Sequence, residues 1–164
     1  MKILYLHGLD GAPREDKNEI LLRGGNSLIA PTLDYRAFEG DISLFEDIDS
    51  LIKKEKARLI VGSSFGGYMG FYLADNNRIP AILFNPALHS RSVNVPVVES
   101  CTDTMKYFIL GKYDEIIKPA KTKEWLREGY YNNYSITELD FGHSVPLEIF
   151  AEAEKIINEI RIKR

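Results

Sequence analysis

A chain of 164 residues falls within the usual size of one domain and is long enough to bury a sizeable core, so a single domain over residues 1–164 is expected. Apolar residues make up 45% and charged residues 27%, an ordinary globular composition that excludes a disordered or fibrous chain. The formal charge is −3 and basic residues alternate with acidic ones in "PREDKNE" and "KTKEWLRE", which leaves no basic stripe for a nucleic acid and reads as solvated helix faces.

Cys101 is the only cysteine, which excludes an internal disulfide and a cysteine-based metal cluster and suits a reducing compartment. The apolar run in "MKILYLHG" is too short for the core of a signal peptide, and no run approaches membrane-spanning length. A cytoplasmic location with no membrane partner is the expectation.

Short apolar runs alternate with amphipathic stretches along the whole chain, with no repeat and no low-complexity segment, and this alternation predicts an α/β fold. Strands are expected at Lys2–Leu6, Ser27–Ala30, Arg58–Gly62, Ala81–Phe84, Tyr107–Leu110 and Ser135–Leu139. Most are continuous apolar runs, as in strands covered by helices on both faces. Helical spacing joins Phe45, Ile48 and Ile52 behind Asp41, and Phe150, Ala153, Ile157 and Ile160 behind Pro146. The stretch after Phe65, "GGYMGFYLADNN", is apolar almost all round and predicts a central buried helix that Asn76 and Asn77 would end. The basic end "IRIKR" suits a helix C-terminus.

Right-handed crossovers between parallel strands bring every strand-to-helix loop to one edge of the sheet, where open α/β folds place their sites. A catalytic side chain should therefore follow a strand. The tyrosine-rich "GYYNNYS" at 129–135 precedes a strand, so it belongs to the opposite edge as a packed or exposed turn.

In "LIVGSSFGGYMG", residues 59–70, the pattern G-x-S-x-G is met by Gly62, Ser64 and Gly66 but not by any frame centred on Ser63. A nucleophile on a sharp strand-to-helix turn has strained backbone angles, and small residues two before and two after it avoid clashes with the neighbouring elements. Gly66, Gly67 and Gly70 would then let the helix pack closely, while Ser63 is expected to be small and to bond loop backbone. Neither phosphate-binding glycine pattern fits these residues.

A serine hydroxyl needs a base, and the base needs a group to hold its tautomer. His143, in "LDFGHSVP", follows the last predicted strand. Asp114, in "FILGKYDEII", follows the one before, so Ser64, Asp114 and His143 occur in α/β-hydrolase order. Asp140 is the rival acid, but three residues along one loop is a poor span for reaching the far imidazole nitrogen. Glu115 would point elsewhere on the turn, and neutral Asn85 suits bonding to loop backbone. His7 ends the first strand beside Gly8, which would let backbone approach closely, and is read as support for an oxyanion loop. The two backbone donors for a tetrahedral intermediate would be Phe65 and a residue of "HGLD", Leu9 or a neighbour.

"ILYLHGLDGAP", "VGSSFGGYMGFYLA", "LFNPAL", "GKYDEI" and "FGHS" occur in that order across nearly the whole chain. Together they resemble an α/β-hydrolase and, more narrowly, the small YqiA-type esterases. The resemblance implies a triad of Ser64, Asp114 and His143 and hydrolysis of an acyl ester or of a thioester such as acyl-CoA, a mechanism that would require no metal or organic cofactor. It also implies a three-layer α/β/α sandwich of six parallel strands, lacking the first two strands of the full fold. Only about twenty residues separate "FNPA" from "KYFIL", too few for a large lid, so an exposed site is expected.

Pocket walls are expected from Leu9, Asp10, the loop from Asp34 to Gly40, Leu88, His89, Ile116 and Ile117, with Tyr35 and Phe38 serving loop packing rather than substrate. Pro96 and β-branched residues argue against a helix in residues 89–104. The competing expectations are a catalytically idle hydrolase-like binding protein, and an amidase or acyltransferase with the same triad. The partner is a small-molecule acyl compound, and no sequence feature speaks to oligomeric state.

Overall fold

A computed structural model describes residues 1–38, 42–90, 104–129 and 131–162, without the side chains at 37 and 38. The expected cap at Asp41, the wall residues 39–40, the side chain of Phe38, Pro96 and Cys101, Tyr130 and the last two basic residues lie outside the described residues.

Six parallel strands form one sheet in the order β2-β1-β3-β4-β5-β6. They are β1 (Lys2–Leu6), β2 (Ser27–Ile29), β3 (Leu59–Ser63), β4 (Ala81–Phe84), β5 (Lys106–Gly111) and β6 (Tyr134–Leu139). The helices are α1 (Glu15–Leu22), α2 (Ser43–Glu55), α3 (Phe65–Asn77), α4 (Pro119–Glu128), α5 (Leu147–Phe150) and α6 (Glu152–Ile162). The expected three-layer sandwich is present, with no large extra domain among the described residues, and no helix there is long and apolar enough to cross a membrane.

Strand alternation builds the two cores. In β1, Ile3 and Tyr5 join one cluster while Leu4 and Leu6 join the other, and β3, β4 and β5 split their residues in the same way. One face is covered by α2, α3 and α4 through residues such as Phe45, Phe71 and Leu126. The other is covered by α1, α5 and α6 through Ile20, Phe150 and Ile157. The chain runs outward from β1 to β2 and then returns to β3 on the far side of β1. The topological switch therefore falls between β1 and β3, the position where open sheets of this kind bind ligands.

Differences from the expected elements are local. β5 begins one residue early, at Lys106, because that buried lysine is held by Asp75 and Thr104 O and lies over the Phe71 ring, 4.6 Å from its centroid. The helix after Pro146 divides at Ala151 into α5 and α6. Helix α3 ends at Asn77 as expected, with left-handed Arg78 as its cap. Asn76 and Asn77 stay helical and donate to Asp49 Oδ1 on α2. The aromatic turn before β6 is packed: Tyr131 stacks on Trp125 at 5.2 Å between centroids, and Tyr134 meets the Phe108 ring edge-on.

Candidate active site

β3 runs directly into Ser64, whose φ of 52° and ψ of −114° lie where L-residues rarely sit. Backbone bonds hold this turn. Ser64 N–H donates to Phe84 O at 2.9 Å, and Ser64 O accepts from Tyr68 N–H at 2.9 Å and Ala87 N–H at 3.1 Å. Two glycines make the turn sterically possible. A Cβ on Gly62 would lie 2.5 Å from Gly66 O, and one on Gly66 would collide with Leu6 O and His7 O. Gly8 has ordinary space around it, with Ser64 Cβ 3.5 Å from where its own Cβ would stand, so the close backbone approach expected there is made at Gly66. Ser63 closes β3 opposite Phe84. Its side chain is buried, but the expected bond from its hydroxyl to loop backbone is not among the described contacts.

Ser64 Oγ lies 3.1 Å from His143 Nε2, and His143 Nδ1 lies 2.8 Å from Asp114 Oδ2. The other Asp114 oxygen accepts the Ile116 N–H at 2.9 Å and the Ile117 N–H at 2.8 Å. Its carboxylate is fully buried yet faces three hydrogen-bonding groups, the condition under which a buried charge is tolerated. Asp140, the rival acid, is exposed and paired with Lys112 at 2.7 Å, and Glu115 is exposed.

Asn85 positions the loop that carries His143. Its φ of 41° aims a buried amide so that Nδ2 donates to Gly142 O at 3.0 Å and His143 O at 3.3 Å, while Oδ1 accepts the Gly111 N–H at 2.7 Å. One side chain therefore ties the ends of β4 and β5 to the loop after β6.

His7 has a comparable role on the opposite side of Ser64. Leu33 N–H donates to His7 Nε2 at 2.9 Å, which makes that nitrogen an acceptor and leaves Nδ1 to donate to Gly8 O at 2.8 Å. Tyr35 is buried, its hydroxyl donating to His7 O at 2.8 Å, so it packs the loop as expected. Leu9 follows directly, and its N–H finds no acceptor among the described residues. Phe65 opens α3 immediately behind Ser64.

Of these groups, Ser64, His143, His7 and Leu9 line an open cavity of about 700 Å³. Of the expected wall residues, Leu9, Asp10, Ile116 and Ile117 line it. Leu88 is buried in the core instead, and His89 stands outside the lining. Asp10 is held by Arg36 through two bonds of 2.5 Å, and the guanidinium keeps that carboxyl below its usual range.

A wall that the sequence reading missed comes from β1 and α1: Tyr5, Arg14 and Lys17. Burial pushes the Tyr5 phenol up to about 12, so it is a neutral hydroxyl at ordinary pH. Burial, reinforced by the Arg14 charge, lowers Lys17 from its usual value. The charge pattern "PREDKNE" hid this wall, because mixed signs read as a solvated face, whereas Lys17 is buried against Phe150. Among the described residues no group of three or more His, Cys, Asp or Glu is placed to share a metal ion.

The fold is found in solved structures at low identity. A protein from Xanthomonas campestris placed in the alpha/beta hydrolase superfamily matches at 16% identity with a TM-score of 0.70, covering 96% of this chain and 98% of that one. Est1E from Butyrivibrio proteoclasticus matches at 16% identity and 0.75, over 99% and 88%. A monoacylglycerol lipase from Paleococcus ferrophilus matches at 16% identity and 0.72, over 96% and 92%. Such likeness shows an alpha/beta-hydrolase fold. No curated protein sequence gives a match. The model of UPF0227, an uncharacterised protein family, matches residues 2–116, a span that includes Ser64 and Asp114, and the chain belongs to that family.

Proposed function

We propose that the protein is a serine hydrolase that cleaves carboxylic esters or acyl thioesters through an acyl-enzyme. The observation that carries the reading is the hydrogen-bonded chain from Ser64 Oγ through His143 to the buried Asp114 carboxylate, set on a turn with φ of 52° at Ser64. Structural likeness to an esterase and a lipase agrees with it.

In this reading Ser64 Oγ forms a bond to the acyl carbon while its proton passes to His143 Nε2. The negative charge that develops on the carbonyl oxygen is taken by the Leu9 and Phe65 N–H groups. Collapse of the intermediate breaks the bond to the alcohol or thiol, which leaves with the proton from Nε2. A water then attacks the acyl-enzyme, gives its proton to Nε2, and releases the acid as Ser64 regains its hydrogen. Asp114 keeps Nδ1 protonated and Nε2 turned towards Ser64. The lone cysteine suits a cytoplasmic enzyme.

Hydrolysis of p-nitrophenyl butyrate tests the reading. Ser64→Ala is expected to lower kcat about a thousandfold or more, and Ser63→Ala to leave it within about threefold. Equal losses in the two variants, or none in Ser64→Ala, would overturn the assignment.

A further inference from the structure

We propose that Lys17, with Arg14 and the Tyr5 hydroxyl, forms an anion-holding subsite in the active-site cavity, so that the preferred substrate is an ester carrying a carboxylate or phosphate away from the bond that is cleaved. This rests on the ester-hydrolase reading above. All three side chains line the cavity that holds Ser64 and His143. Tyr5 and Lys17 share a neighbour: the Phe150 ring lies 5.5 Å from the Tyr5 ring and 4.9 Å from the Lys17 ammonium.

Lys17 is only 9% exposed, and its ammonium has no hydrogen bond or ion pair among the described residues. The comparison with Lys106 is instructive. That ammonium is also buried, on a residue 3% exposed, and also lies over an aromatic ring, but Asp75 and a backbone carbonyl complete its shell. A ring face alone is a partial substitute for water around a cation, and an unpaired buried charge is unfavourable unless an anion completes it.

The other charges at the cavity are already engaged. Arg36 holds Asp10, and Asp16 pairs with Arg14 and accepts the Lys17 backbone N–H, so it acts on the Lys17 ammonium only at a distance. Lys17 also sits in the first turn of α1, the end of a helix that disfavours a cation. Packing on Phe150 would be served as well by leucine or methionine. The Tyr5 hydroxyl has no partner among the described residues either, which leaves a neutral donor and the Lys17 ammonium without an anion, beside an Arg14 that Asp16 already pairs with, on one wall of an acidic protein.

The test compares p-nitrophenyl hexanoate with the mono-p-nitrophenyl ester of adipic acid, which places a carboxylate at the end of a similar chain. The wild type is expected to prefer the adipate ester about tenfold in kcat/KM, the scale of one charge-assisted hydrogen bond. Lys17→Met should lower that preference about tenfold, and Arg14→Ala, at an exposed side chain, a few-fold. An unchanged preference in both variants would overturn the subsite. A second readout needs no turnover. Adipate or inorganic phosphate should raise the Tm of the Ser64→Ala protein, with the larger shift identifying the anion, and Ser64→Ala/Lys17→Met should lose the rise. No shift from either anion contradicts the proposal whatever the kinetics show. A shift without esterase activity supports the subsite and removes the hydrolase reading.

Discussion

At the sheet edge where helices feed into strands, Lys56 and Arg78 adopt positive φ values of 55° and 53°. At the edge where strands end, Asp10, Ser64 and Asn85 adopt 57°, 52° and 41°. The first pair ends helices: both residues are exposed, and the amides of Lys56 and Ala57 return to Lys53 O and Ile52 O, as those of Arg78 and Ile79 return to Asp75 O and Ala74 O. The second group aims side chains: Asp10 at Arg36, Ser64 at His143, and Asn85 at the backbone of two loops. The same uncommon backbone conformation is thus an architectural stop at one edge and a pointing device at the other. Strain marks a candidate site only where it orients a polar side chain.

Substitutions that separate activity from stability sharpen this contrast. The largest effect is expected at Asp114, where Asn would keep the shape but favour the wrong histidine tautomer. Asp114→Asn should lower kcat by about 10³- to 10⁴-fold with little change in KM, while Asp140→Asn stays within about twofold. Comparable losses in steady-state rates of the two variants would break the assignment of the acid.

Asn85→Ala comes next. It strips the buried Gly111 N–H of its acceptor and frees the loop carrying His143, so it should reduce stability by about 1–3 kcal/mol in urea unfolding and reduce kcat together with it. A full loss of stability with unchanged turnover would show that Asn85 has no positioning role. The smallest effect belongs to the other edge. Lys56→Gly relieves the left-handed penalty at an exposed helix end and should raise stability by up to about 1 kcal/mol, with no change in turnover. A change in turnover there would mean that the two edges are not independent.

Much of the frame was legible because β4 is a pure apolar run and β1 is one behind a single lysine, Lys2, and their observed limits match the expected ones. β5 was read short because a lysine ends an apolar run in sequence, and nothing local announces that Asp75, 31 positions away, will pair with it. The same blindness hid the cavity wall at Lys17. Chain order and strand ends were enough to bring Ser64, Asp114 and His143 to one edge, since a parallel sheet gathers its C-terminal loops there. The partners of Asn85 and the acceptor role of His7 Nε2 depend on contacts between distant loops, which carry no periodic signal. Close packing at Gly66 rather than Gly8 is likewise a matter of how α3 lies against the end of β1.

The most direct measurement is the mass-spectrometric mapping of a fluorophosphonate adduct on the native protein. The account predicts one adduct per chain, on the peptide containing Ser64, formed in Ser63→Ala and absent from both Ser64→Ala and the unfolded wild type. An adduct on Ser63, labelling that survives Ser64→Ala, or no reaction by the folded protein would contradict it.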